Sequence, residues 1–244
     1  MSLLVLFVHG HILDARMWQL QIAALEDQFA IIAPTLRGYG DLGQSDGAFS
    51  HADDLKALLE TRGLERVHVV GLSLGGNIAL EIAVRFPERV ATLTLLDSSL
   101  KGLAPDAAQL ELGASVQRAF EAGGLEPARV AWLNAALFAA ARENPVVAAQ
   151  LESWVAEYSG WHWTHGVSPS AQIPDLSSRL VEVTAPTLIA VGKRDTAYFH
   201  SVAQALHAGI AGSRLEVIAG AGHLVNLERP AIVNALLLEH FGCG

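Results

Sequence analysis

The sequence predicts an α/β fold: an open parallel sheet of about six strands with a helical insertion. Three observations predict it. Short runs rich in Val, Ile and Leu alternate with longer stretches of helical period. The runs are apolar on both faces, as strands covered by helices on each side must be. One region, residues 98–183, breaks the alternation and holds no convincing strand.

In chain order, residues 3–8 form the first run. They read as a buried strand rather than the core of a signal peptide. No Lys or Arg precedes them, no small-residue cleavage site follows, and His9-Gly10-His11 comes at once. A helix is expected over 15–26 and a second strand over 30–33. Then come a helix at 51–62, a strand at 67–71, a helix at 74–85 and a strand at 92–96. After the break, strands at 187–191 and 215–219 alternate with helices at 202–208 and 231–241. This is the βαβ signature of a parallel sheet. The expected division is a core of residues 1–97 and 184–244 and an insertion of 98–183. Ala-rich helical pattern fills 103–157 of that insertion, followed by the aromatic segment Trp154, Tyr158, Trp161 and Trp163. Strands resume after Ala185-Pro186.

Composition narrows the class. The 244 residues are 51% hydrophobic and 17% charged, which excludes disordered and low-complexity chains. A formal charge of −9 with no basic run excludes nucleic acid and an anionic membrane as expected partners. No stretch reaches the roughly 20 apolar residues of a membrane helix. The one cysteine, Cys243, makes no intrachain disulfide, so a cytoplasmic location is expected. His162 and His165 stand in an H-x-x-H pattern, but no carboxylate or cysteine pattern completes a metal site, and no metal is expected.

The chemistry concentrates at Gly71-Leu72-Ser73-Leu74-Gly75, a G-x-S-x-G pattern between a strand and a helix. A serine on so sharp a turn is forced into a strained conformation and held out at the sheet edge. The flanking glycines let strand and helix approach. A serine hydroxyl needs a base to act as a nucleophile, and the base needs an orienting acid. Asp195 ends the run Leu188–Asp195, and His223 follows the next strand in a loop of small residues. The order Ser73, Asp195, His223 is the one expected of this turn type. Asp97 also ends a strand and competes for the acid's role; its expected role is a cap or hydrogen-bond anchor at the start of the insertion.

On these residues the chain resembles the α/β-hydrolases of the esterase, lactonase and C–C hydrolase kind. The match runs through His9-Gly10, Arg37-Gly38-Tyr39-Gly40, the Ser73 turn, Gly192 to Asp195, and Gly222-His223. The resemblance implies Ser73 as nucleophile, His223 as general acid/base and Asp195 as orienter. It implies an oxyanion hole from the N–H groups of Leu74 and His11, with Ile12 as the alternative to His11. Ile12, Trp154, Tyr158, Trp161, Trp163 and Leu224 are the candidate substrate contacts. The activity implied is hydrolysis of a small carboxylic ester or lactone with no cofactor. C–C or thioester cleavage, acyl transfer, lyase chemistry and a non-catalytic ligand receptor are the rival readings. The chain departs from the family pattern in three ways. A β-hairpin before the first strand is absent, Thr35 stands where an acid is usual, and Leu42-Gly43 lengthens the loop before Gln44-Ser45. Without the hairpin, the 30–33 strand is expected at a bare sheet edge, covered by a loop or by a second copy, so the chain is expected to be a monomer or a homodimer.

Overall fold

The computed structural model describes residues 4–40, 49–165 and 175–242. Leu3, the lengthened loop at Leu42-Gly43 and Cys243 lie outside the described residues. Six strands form one sheet: β1 (Leu4–Val8), β2 (Ile31–Ile32), β3 (Val67–Leu72), β4 (Val90–Leu96), β5 (Thr187–Gly192) and β6 (Arg214–Ile218). All pair in parallel, in the order β2-β1-β3-β4-β5-β6. Every residue of β3, β4 and β5 is buried, which explains their continuous apolar runs.

Helices cover the sheet. α1 (Gln19–Leu25) follows a 3-10 turn at Ala15–Trp18. α2 (His51–Thr61) is capped by the Ser50 hydroxyl, which accepts from the Asp53 N–H, and Asp53 and Asp54 complement the helix dipole in its first turn. α3 (Leu74–Arg85) follows β3 directly. Between β4 and β5 lie α4 (Ala107–Gly123), α5 (Leu125–Leu133), α6 (Ala139–Arg142), α7 (Pro145–Glu157) and α8 (Trp161–His165), with no strand among the described residues. The core resumes with α9 (Ala197–Gly209), α10 (Val225–Glu228) and α11 (Pro230–His240). α4 and α7 start at Asp106 and Asn144, whose side chains accept from N–H groups of the first turn.

The expected 30–33 strand is present at the edge but only two residues long, Ile31–Ile32. A very short edge offers few unpaired backbone groups to another sheet. At the opposite edge, Arg214 pairs with Glu216 on the same strand, and charged side chains protect that side. The strand order changes direction at β1, with β2 on one side and β3 on the other. In open α/β sheets the crevice at such a switch, outside the carboxyl ends of the strands, is where ligands bind.

Candidate active site

The two strands at the switch carry the first candidates. Val8, the last residue of β1, pairs with Gly71 on β3. The loop His9-Gly10-His11 therefore sits beside the turn at Ser73. Ser73 has φ 55° and ψ −114°, the left-handed region that side chains avoid. The surrounding glycines enforce that turn. A Cβ on Gly71 would lie 2.2 Å from the Gly75 carbonyl oxygen, and one on Gly75 would lie 2.0 Å from that of Val8. Leu74 heads α3, where first-turn N–H groups have no acceptor within the helix and the dipole favours negative charge.

The remaining polar candidates follow β4, β5 and β6. His223 Nδ1 lies 2.8 Å from Asp195 Oδ2, and both side chains are almost wholly buried. The other Asp195 oxygen accepts the Thr196 N–H at 2.7 Å. The Phe199 ring lies 4.2 Å from the imidazole centroid and restricts its rotation. Ser73, Leu74, His11, His223 and Leu224 line one cavity of about 360 Å3. Asp195 lies behind His223, away from that cavity's lining.

Asp97 is buried beneath this pair, with φ 40°. Its Oδ1 accepts the Gly192 N–H at 2.8 Å and its Oδ2 the Val225 N–H at 3.3 Å. It thus ties the β5 end, three residues before Asp195, to the start of α10, two residues after His223. Burial, then the neighbouring Asp195 charge, raise its pKa well above the usual carboxylate range. Asp97, Asp195 and His223 offer ligand atoms within 4.8 Å of one another. The hydrogen bonds these groups already make within the chain describe an acid–base cluster.

His9 and Tyr39 build the floor beside the β1 loop. The Leu36 N–H donates to His9 Nε2 at 2.9 Å, so the ring hydrogen sits on Nδ1 and donates to the Gly10 carbonyl. His9 thereby fixes the loop that carries His11 to the segment after β2. Burial lowers the pKa of His9 to about 4, keeping the ring neutral. The Tyr39 hydroxyl lies 2.6 Å from His11 Nδ1. Desolvation, then the neighbouring histidines, lower the pKa of His11 to about 3. Arg37 pairs with Asp54 at 2.6 Å, a structural anchor. Arg16 pairs with Asp14 and Glu157, and Arg194 with Glu143.

The aromatic candidates divide. Trp163 lines the cavity with Ser73. Trp154 and Tyr158, with Ile12, line a separate hollow beside Arg16. Trp161 is buried against the Gly38 backbone and the Phe49 ring. These three rings pack the α7–α8 segment onto the core, the usual fate of aromatics at helical spacing. In their place the cavity takes α4, through Gln109, Leu112, Gly113, Val116 and Gln117. That stripe has the spacing i, i+3, i+4, i+7, i+8 and was visible as a helical face, though nothing local marks it as facing a site. Trp132, Leu137, Phe138 and Phe199 complete the apolar wall.

A family model described as "Alpha/beta hydrolase family" matches residues 5–236. The chain belongs to that family. Among curated relatives of this alpha/beta hydrolase, 2-hydroxy-6-oxononadienedioate/2-hydroxy-6-oxononatrienedioate hydrolase 2 of Pseudomonas putida is 29% identical, over 78% of this chain and 67% of its own. Carboxylesterase YbfK of Bacillus subtilis is 26% identical over 98% of this chain and 80% of its own. The solved structure of MenH from S. aureus superposes with TM-score 0.86 at 25% identity, covering 99% of this chain and 94% of that one.

Proposed function

We propose that this alpha/beta hydrolase cleaves a small carboxylic ester or lactone through an acyl-Ser73 intermediate. One observation carries the reading. The strained Ser73 and the imidazole of His223 line the same cavity, and that imidazole is held from behind by Asp195. In this reading Asp195 keeps the His223 hydrogen on Nδ1, leaving Nε2 to take the Ser73 proton as the hydroxyl oxygen attacks the carbonyl carbon. Negative charge develops on the carbonyl oxygen, and the N–H groups of Leu74 and His11 accept the task of stabilising it. A donor of this kind lowers a barrier by about 3–4 kcal/mol. The imidazolium then protonates the leaving alcohol. Water, activated by His223, attacks the acyl-enzyme and restores Ser73. The helices α4 to α8 serve as the cap over the site, supplying α4 and Trp163 as walls.

The name of the Pseudomonas putida relative supports C–C hydrolysis as the second reading, with the same nucleophile and base. An ester, lactone and diketone panel on wild type and Ser73→Ala separates the two. The expected result is ester or lactone turnover, lost in Ser73→Ala, with a fluorophosphonate probe attached to Ser73. Labelling at another residue, or turnover that survives Ser73→Ala, overturns the proposal.

A further inference from the structure

Resting on that reading, we propose that the cavity selects an uncharged acyl group and rejects one that carries a carboxylate close to the scissile bond. The walls around Ser73 are hydrocarbon and aromatic: Leu112, Val116, Trp132, Leu137, Phe138 and Trp163. Among the described residues, the polar side chains lining the cavity other than Ser73 and His223 are the neutral groups His11, Ser99, Gln109 and Gln117. Burial, and then the neighbouring His162, His9 and His51, keep the His11 ring uncharged, with the Tyr39 hydroxyl 2.6 Å from its Nδ1.

Several cations of the cap and its surroundings are committed elsewhere. The Arg142 guanidinium donates to the Leu133 and Ala135 carbonyls, and that of Arg129 to the Tyr158 carbonyl. Arg194 is paired with Glu143 and Arg16 with Asp14 and Glu157. Among the described residues no Lys or Arg lines the cavity. The stretches 1–3, 41–48, 166–174 and 243–244 contain neither residue type in their sequence.

A carboxylate brought here would give up its hydration without gaining a counter-ion. The buried Asp195 behind His223 adds like charge to that cost. An alkyl or aryl acyl chain meets the opposite balance, since the same walls gain by being covered. Gln109 and Gln117 can orient an ether, carbonyl or hydroxyl on such a chain without requiring charge.

The test compares p-nitrophenyl hydrogen glutarate with its methyl ester, which share one acyl chain short enough to keep its far carboxyl group inside the cavity, and which differ only in the charge of that group. Rates are taken above those of Ser73→Ala, which removes spontaneous hydrolysis. The expected kcat/KM is at least about 100-fold higher for the neutral diester. Gln109→Lys and, separately, Gln117→Lys place an ammonium on the cavity wall. Either substitution, in protein whose melting curve shows it folded, should raise the acid-to-ester ratio at least about tenfold. Equal use of the two substrates by wild type, or a ratio unmoved in both folded variants, overturns the inference and leaves the acyl-serine reading standing. Failure of that reading looks different: neither compound is turned over faster by wild type than by Ser73→Ala, and the inference falls with it.

Discussion

At the scale of single residues, the two buried aspartates have separable tasks. Asp195 touches the imidazole, whereas Asp97 touches backbone N–H groups at the end of β5 and the start of α10. Asp195→Asn should lower kcat by about 10⁴-fold with little loss of fold, because an amide leaves the base in the wrong tautomer. Asp97→Asn should act on stability. Both carboxyl oxygens accept N–H groups, so an amide nitrogen must face a donor at Gly192 or Val225. The expected cost is about 1–3 kcal/mol in urea unfolding, with kcat reduced far less than in Asp195→Asn. If Asp97→Asn is the crippling change and Asp195→Asn is mild, the roles are reversed. Both aspartates were legible as strand-end acids in the sequence. Which one faces the histidine was settled by strand order, since β5 and β6 are neighbours and Gly192 pairs with Ile218.

At the scale of elements, the close approach of β1, β3 and α3 is the most demanding contact in the site. Gly75→Ala pushes a methyl group into the Val8 carbonyl. It should cost ~3 kcal/mol or more and lower Tm by roughly 6–12 °C, measured by calorimetry. Gly113→Ala inside α4 meets no atom within 4 Å and gains helix propensity, so a Tm that does not fall, and rises by a few degrees at most, is the matched control. Such local features were readable because each strand is a short apolar run with a turn motif at its end. The observed bounds of β1, β3 and β5 depart from the expected ones by a residue at most. The cavity wall was less readable. Trp154, Tyr158 and Trp161 have the composition of a binding wall, yet their rings serve to fasten α7 and α8. Trp163 alone of that group reaches the cavity. Whether an aromatic ring faces substrate or core depends on how the insertion turns back over the sheet, and that is a long-range property. The α10 turn after His223 also escaped notice, being only four residues long.

At the scale of the whole molecule, the histidines around Tyr39 link fold stability to acidity. Burial, first among the causes, lowers the pKa of His9 and His162 to about 4 and that of His11 and His51 to about 3. An exposed histidine titrates near 6.5, so below that pH the unfolded chain binds more protons than the folded one. Stability from this cluster is therefore complete above about pH 6.5 and is lost as the pH falls towards 3–4. Urea midpoints at pH 7.5, 5.5 and 4.5 should decline in that order. His51 has both ring nitrogens buried without a partner among the described residues, so His51→Leu should flatten the decline by roughly 1.4 kcal/mol per pH unit. An identical slope in that variant would remove His51 from the cluster's effect. A second whole-chain consequence belongs to the dihedral angles at position 73. The chain spends conformational energy, of order 1–3 kcal/mol, to present one hydroxyl. Ser73→Gly should consequently yield an inert protein that withstands heat slightly better than its parent, a sign that reactivity and durability are drawn from the same store.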